Sequence, residues 1–219
     1  HLLVRTCGPG DVVVDAGANI GYFTLMMSRL VGPRGFVHAF EPHPDTARRL
    51  DANVLLNKAA NVLVHETALW DATRDLTLYT CFEPGLASLR PYDGWTGSRT
   101  VRTVRLDRIL ATVPRLMKLD VEGSELAALK GCDRWLADVP YVACELARRN
   151  LGYHATSPEE VAAYMAGFGK DLWFLDKAGN IPRLIPRGGR WPEAEINQMA
   201  LFAAEADVRA LWEPVNGAT

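Results

Sequence analysis

The sequence has no Cys-x-x-Cys pair, no apolar run of 18 residues and no marked excess of either charge. Its four cysteines, Cys7, Cys81, Cys132 and Cys144, lie far apart and lack the local spacing of a zinc site. Scattered buried thiols in a reducing compartment are the expectation, with a disulfide left open by the even count. The missing apolar run argues against a membrane span. No charged leader precedes an apolar stretch, so no secretory signal is visible and a cytoplasmic location is expected. The chain opens at His1 without a methionine, which leaves room for sequence upstream. A formal net charge of −2 gives no bulk electrostatic case for a nucleic-acid partner. Arg48, Arg49 and Lys58 form the local basic candidate, read as a solvated helix face.

What remains is a chain of 219 residues, 48% apolar and 23% charged, which suits one large globular domain with a substantial core. The order of elements narrows the fold. Residues 11–15, DVVVD, read as a buried strand. AGANIG then reads as a tight turn, and 20–31 as a helix with apolar positions on one face. FVHAFE at 36–41 is a second strand, 44–56 a second helix and NVLVHE at 61–66 a third strand. Strand and helix alternating in this way demand right-handed crossovers and a mostly parallel α/β sheet.

The middle breaks that rhythm. Residues 76–80 and 101–106 alternate like strands, and the turn-rich stretch 81–99 between them reads as an insertion covering an active site. The sheet resumes at RLMKLD, 115–120, followed by a helix over 124–129 and the strand YVACE. Ser157, Pro158 and Glu160 spell a helix start with a capping box. Residues 171–175 and 181–185 flank KAGN and form a closing hairpin, and 193–212 has a helical composition.

The chemistry concentrates at the carboxyl ends of these strands. Asp15, Gly17, Ala18, Asn19 and Gly21 make a glycine-rich turn between strand and helix, where ligands of doubly wound sheets sit. The turn departs from the dinucleotide pattern G-x-G-x-x-G. A carboxylate directly before the first glycine suits a ligand bearing an ammonium group better than one bearing two phosphates. Asp15 either serves the ligand or ties down the turn. Glu41 ends the second strand, where an acid can accept from a ribose diol. Pro42 follows it, and Glu66 and Ala68 stand at the same rim beside a base pocket.

Asp120, Glu122 and Glu145 bring acids to the rim of the next two strands. A carboxylate there can orient a hydroxyl and take its proton. Equally, hard cations prefer carboxylate oxygen, so a divalent cation is compatible with the acids without being required by them. Glu125 is read as pairing with Arg or Lys, and Lys118 as a partner to the acids. His154 follows the last rim strand and is a candidate base, because its ordinary pKa lies near neutrality. A nicotinamide-dependent oxidoreductase and a non-catalytic ligand-binding Rossmann-like domain remain the competing readings.

The segments VVVDAGANIGYFT, HAFEPHP, KLDVEGSELAALKG and YVACE together resemble the FkbM-type methyltransferases, over roughly residues 11–186. The lead-in VRTVRLDRIL is similar too. The resemblance implies a Rossmann-like seven-stranded methyltransferase sheet, mostly parallel with an antiparallel closing strand, and helices on both faces. It implies S-adenosylmethionine as methyl donor and, usually, transfer to a hydroxyl oxygen of a small molecule, sugar or secondary metabolite. By motif position it gives Asp15, Gly17, Asn19 and Gly21 to the donor loop and Glu41 to the donor ribose. Asp120, Glu122 and Gly123 form the acidic signature near the methyl group. The expected organisation is a methyltransferase domain over 1–190, with its lid at 81–99, and a helical extension over 191–219. Oligomeric state and the acceptor's identity are not written in the sequence.

Overall fold

The computed structural model describes residues 2–81, 87–175, 182–192 and 199–212. In chain order these form α1 (Leu2–Thr6), β1 (Val12–Ala16), α2 (Tyr22–Val31), β2 (Phe36–Phe40), α3 (Pro44–Leu56) and β3 (Val62–His65). Four strands follow: β4 (Ala68–Leu69), β5 (Arg74–Thr80), β6 (Ala87–Ser88) and β7 (Gly97–Val104). Then come β8 (Leu116–Leu119), α4 (Glu125–Lys130), β9 (Tyr141–Glu145), α5 (Arg148–Tyr153) and α6 (Pro158–Ala166). The chain closes with β10 (Asp171–Phe174), β11 (Arg183–Ile185), β12 (Met199–Ala203) and α7 (Glu205–Trp212).

The valines of β1 split between two cores, because successive side chains of a strand face opposite ways. Val14 and Ala16 join Met117, Leu119, Val142 and Phe202 under α4, α5 and α6. Val13 joins Leu116, Tyr141 and Ala143 under α1, α2 and α7. Further along the sheet, Leu50 of α3 packs on Ala39 and Ala18. A sheet covered on both faces needs near-continuous apolar strands, and β1, β8 and β9 supply them.

The main sheet runs β11-β10-β12-β9-β8-β1-β2-β3. The five strands from β9 to β3 are parallel, and β12 enters antiparallel between β9 and β10. The expected Rossmann-like architecture holds, but the main sheet has eight strands rather than seven, because the β10–β11 hairpin adds an outermost strand. The tail also differs from expectation. Met199–Ala203, expected to be helical, is a strand buried between two others, with α7 only after it. Five apolar residues fit either state by pattern, and the gap beside β9 decides. The KAGN turn lies outside the described residues.

Strands β4, β5, β6 and β7 build a second, four-stranded sheet in the order β4-β7-β5-β6, with a small apolar cluster of Ala68, Trp70, Leu78, Leu89 and Val101. Ser157 caps α6 as its sequence predicts, its hydroxyl accepting from the Glu160 amide at 3.2 Å. None of the four cysteines forms a disulfide; Cys7, Cys132 and Cys144 are buried and Cys81 is half-buried. Among the described residues, no helix is long and apolar enough to cross a membrane.

Candidate active site

The parallel strands end together, and two of the loops that leave them meet. Gly17 has φ of +71°, and a Cβ there would lie 1.8 Å from the carbonyl oxygen of Asp120. The β1–α2 turn therefore rests directly on the end of β8, and only glycine permits it. At Gly21, where φ is +97°, a Cβ would strike Leu50 Cδ1 at 2.5 Å, so α2 starts hard against α3. The Gly17 and Ala18 amides both donate to the Phe40 carbonyl at 3.0 Å.

Glu41 pins this turn to the next one. One carboxylate oxygen accepts from the Asn19 amide at 3.0 Å, the other from the His43 amide at 2.9 Å. Burial pushes the Glu41 carboxyl above its ordinary pKa, while the two amides pull it back.

Past these loops lies a cavity of about 380 Å³. Gly17, Asn19, Glu41, Pro42 and Ala68 line one part of it, and Asp120, Glu122 and Glu145 another. Eight of the thirteen sequence-predicted site residues thus share one space. The wall opposite comes from the second sheet, through Leu78, Thr80, Cys81, Ala87 and Leu89. The described part of the 81–99 insertion therefore borders the cavity at Cys81, Ala87 and Leu89; residues 82–86 lie outside the described residues.

The three acids have carboxylate oxygens within 4.8 Å of one another. Protons or a divalent cation can relieve such crowding. Burial, then the hydrogen-bonded Asp120 carboxylate and the charges of Glu122 and Glu125, push Glu145 up to about 9. Glu145 thus stays protonated near neutral pH. Burial and the charge of Asp120 push Glu122 up to about 7.

A strained turn holds Glu122 in place. Glu122 and Gly123 both have positive φ, +52° and +98°. A Cβ on Gly123 would lie 2.3 Å from the Asn150 carbonyl oxygen, so α5 packs onto the turn. Asn150 Nδ2 donates to Glu122 Oε2 at 2.6 Å, and Ser88 Oγ donates to the Glu122 carbonyl at 3.1 Å. Glu125 does not pair with Arg or Lys. It is buried, accepts from the Val121 and Gly123 amides at 3.2 and 3.3 Å, and is pushed up to about 8 chiefly by burial.

Five predicted residues stand elsewhere. Asp15 is fully buried on the α2 face and does not line the cavity. It accepts from Thr24 Oγ1 at 2.6 Å and pairs with Lys118 Nζ at 3.1 Å. Ala18 packs on Leu50 and Ala39, and Gly21 serves the turn. Glu66 is exposed at the rim. His154 lines a separate cavity of about 130 Å³ with Trp70, Arg90 and Gly123. Its Nε2 is 2.9 Å from Ser88 Oγ, and burial and Arg90 hold its pKa down at about 4, so it is neutral, and it packs on the backbone of the Glu122–Gly123 turn rather than lining the cavity of the acids.

The sequence reading missed Asn150, Ser88 and the cavity residues Thr46 and Ser124. None carries a local signal, since each is recruited by packing between distant segments. Arg49, read as part of a solvated face, borders the cavity, whereas Arg48 is exposed and pairs with Asp45.

Residues 15–172 match the model of the methyltransferase FkbM domain. The hexuronic acid methyltransferase AglP of Haloferax volcanii is 32% identical over 153 residues, covering 67% of this chain and 60% of that protein. The chain spans about 60% of the length of the curated relatives it matches. Among solved structures, the FkbM methyltransferase of Methylobacillus flagellatus has a TM-score of 0.59 at 19% identity, over 88% of this chain and 43% of that one. Aeropyrum pernix fibrillarin, solved with S-adenosyl-L-methionine bound, has a TM-score of 0.52 at 15% identity, over 90% and 67%. These likenesses establish a shared fold.

Proposed function

The chain belongs to the FkbM methyltransferase family, and from that premise we propose that it moves a methyl group from S-adenosylmethionine to a hydroxyl oxygen of a small molecule, sugar or secondary metabolite. The observation that carries the reading is the single cavity joining the Gly17–Asn19–Glu41 loops to the Asp120–Glu122–Glu145 acids. The first group suits a nucleoside with an amino-acid tail, and the second suits a hydroxyl about to lose its proton.

The residues fit the donor. Gly17 leaves its turn without a Cβ, so a ligand can approach the backbone closely. Glu41 has lone pairs to spare after accepting two amides, and faces the cavity where a ribose diol can donate. Phe40, Ala68, Leu69 and Leu78 give the apolar walls that a base needs. When bound, the donor supplies an electrophilic methyl on a positively charged sulfur.

The chain's own residues then do three things. The loops hold the donor in line with the acceptor oxygen, which is the main requirement of a displacement at carbon. Asp120 accepts the hydroxyl proton as the carbon–oxygen bond forms and the carbon–sulfur bond breaks. Glu122, held by Asn150, orients the hydroxyl. The reaction as written balances without a metal, although the acids are spaced so that a divalent cation can join them. Asp15 and His154 take no direct part. The 1–190 catalytic domain and its continuation over 191–219 are proposed to act as one unit, since β12 of the latter completes the sheet.

Isothermal calorimetry with S-adenosylmethionine and S-adenosylhomocysteine tests the donor claim, and absence of binding by both defeats it. Labelled methyl transfer to a panel of sugars that includes hexuronic acids tests the acceptor class. Asp120→Asn should lower turnover by ~10²-fold or more while donor affinity changes little.

A further inference from the structure

Strand β8 is buried on both faces, yet its third residue is a lysine. Lys118 is only 3% exposed and sits in register opposite Asp15 of β1. Its Nζ lies 3.1 Å from Asp15 Oδ1 and 3.3 Å from Asp120 Oδ2, and donates to the Gly17 carbonyl at 3.4 Å. The Phe23 ring of α2 covers it, with its centroid 5.2 Å away. One ammonium thus touches the first residue of the donor loop, the backbone of that loop and the first of the acids.

Stability does not account for this arrangement. Burying two carboxylates and an ammonium costs desolvation, and an apolar set of similar volume is often as stable or more so. Burial opposes the charge on Lys118, but Asp15 and Asp120 outweigh it and hold the ammonium above its ordinary pKa. The acids whose charges act with it are Asp15 and Asp120, in contact, and Glu41 and Glu122 beyond them. In that crowd of acids a freely rotating Asp120 would have no fixed aim. Lys118 gives it one, and fixes the aim relative to the same loop that holds the donor.

Resting on the proposed function, we infer that Lys118 is a positioning residue that ties the donor loop to Asp120, so that donor and proton acceptor are held in one register. Methyl transfer depends on that register to within a fraction of an ångström, whereas donor binding does not.

Lys118→Met alone leaves the Asp15 charge buried with no opposite charge beside it and only Thr24 donating to it, a change that threatens folding. The test therefore uses Asp15→Asn combined with Lys118→Met, which removes the buried pair at nearly constant volume, against Asp15→Asn alone. Melting temperature, S-adenosylmethionine affinity by calorimetry and saturated turnover are read for each. Turnover uses whichever sugar in the panel the unaltered chain methylates. The double variant should melt near the unaltered chain, keep donor affinity within ~3-fold and lose ~10²-fold in kcat. Asp15→Asn alone, which leaves Lys118 on Asp120 and Gly17, should keep a tenth or more of kcat.

Turnover in the double variant within ~3-fold of normal overturns the inference. So does a loss in Asp15→Asn as large as in the double variant, or a loss confined to donor affinity. If the unaltered chain binds no donor, the functional reading fails first and takes the inference with it.

Discussion

Binding of S-adenosylmethionine should expel a proton, and binding of its demethylated product should not. The two ligands differ by one methyl and one positive charge on sulfur. In the free chain Glu145 is pushed up to about 9, so at pH 8 it is mostly protonated. A unit cation placed about 5 Å away, at an effective dielectric constant of about 20, stabilises the ionised carboxylate by about 3 kcal/mol, or a little over two pKa units. Glu145 would then fall to between about 6 and 7 and lose most of its proton at pH 8. Glu122, at about 7 in the free chain, is already largely ionised there and adds only about a tenth of a proton. The complex with the sulfonium holds fewer protons than the free chain, so donor affinity must rise with pH between roughly 6.5 and 9. Calorimetry at pH 8 in buffers of different ionisation enthalpy reads the number directly. The expected release is close to one proton for S-adenosylmethionine and near zero for S-adenosylhomocysteine. Equal counts for the two ligands would refute the idea that the sulfur sits among these acids.

Other outcomes follow from the same geometry. Glu145→Gln should raise the stability of the ligand-free chain at alkaline pH while reducing turnover. The carboxyl binds its proton more tightly folded than unfolded, so its favourable linkage is complete below about pH 4.5 and fades as pH climbs towards about 9. A gain of about 1–2 kcal/mol relative to the unaltered chain, or roughly 3–6 °C in melting temperature at pH 8, is expected in calorimetric scans. Gly17→Ala should cost at least about 2 kcal/mol in denaturant titrations, since it adds a Cβ 1.8 Å from the Asp120 carbonyl oxygen at a left-handed φ. His154→Gln should leave the pH profile of turnover in place and lower kcat by less than about 10-fold, well short of the loss of a general base. A shift of the acidic limb in that variant would return His154 to the mechanism.

Much of the core and rim could be read from the chain because their signals are local. Three successive valines, a glycine-rich turn and a prolyl helix start each carry their own conformational preference, and β1, α2, β2 and α3 follow within a residue or two. The acids at 120, 122 and 145 could be placed at one rim because each ends or follows a strand of a parallel sheet. Asp15 was harder to place. Its partner, Lys118, lies on a strand far along the sequence, and only the pairing of β1 with β8 reveals that the carboxylate is already taken. β12 was missed for a related reason, since five apolar residues become a strand when two neighbouring strands leave a slot for them. Strands β4 and β6 contain two residues each, too few to show any period. Ser88 and Asn150 entered the site through packing alone.

The small sheet of residues 68–104 has a consequence for how such a chain can diversify. Its strands bond to one another, and Trp70, Leu78, Leu89 and Val101 pack together, while Leu69 and Val104 of the same segment anchor it in the main core. It nevertheless supplies a wall of the cavity through Leu78, Thr80 and Leu89. Mutational drift at Thr80 and Leu89 can reshape that wall while Leu69 and Val104 keep the segment seated on the main core. Exchanging Thr80 and Leu89 between relatives is then a graft onto a fixed frame: acceptor preference should travel with them, and donor affinity, which draws on Ala68, Leu69 and Leu78, should stay behind.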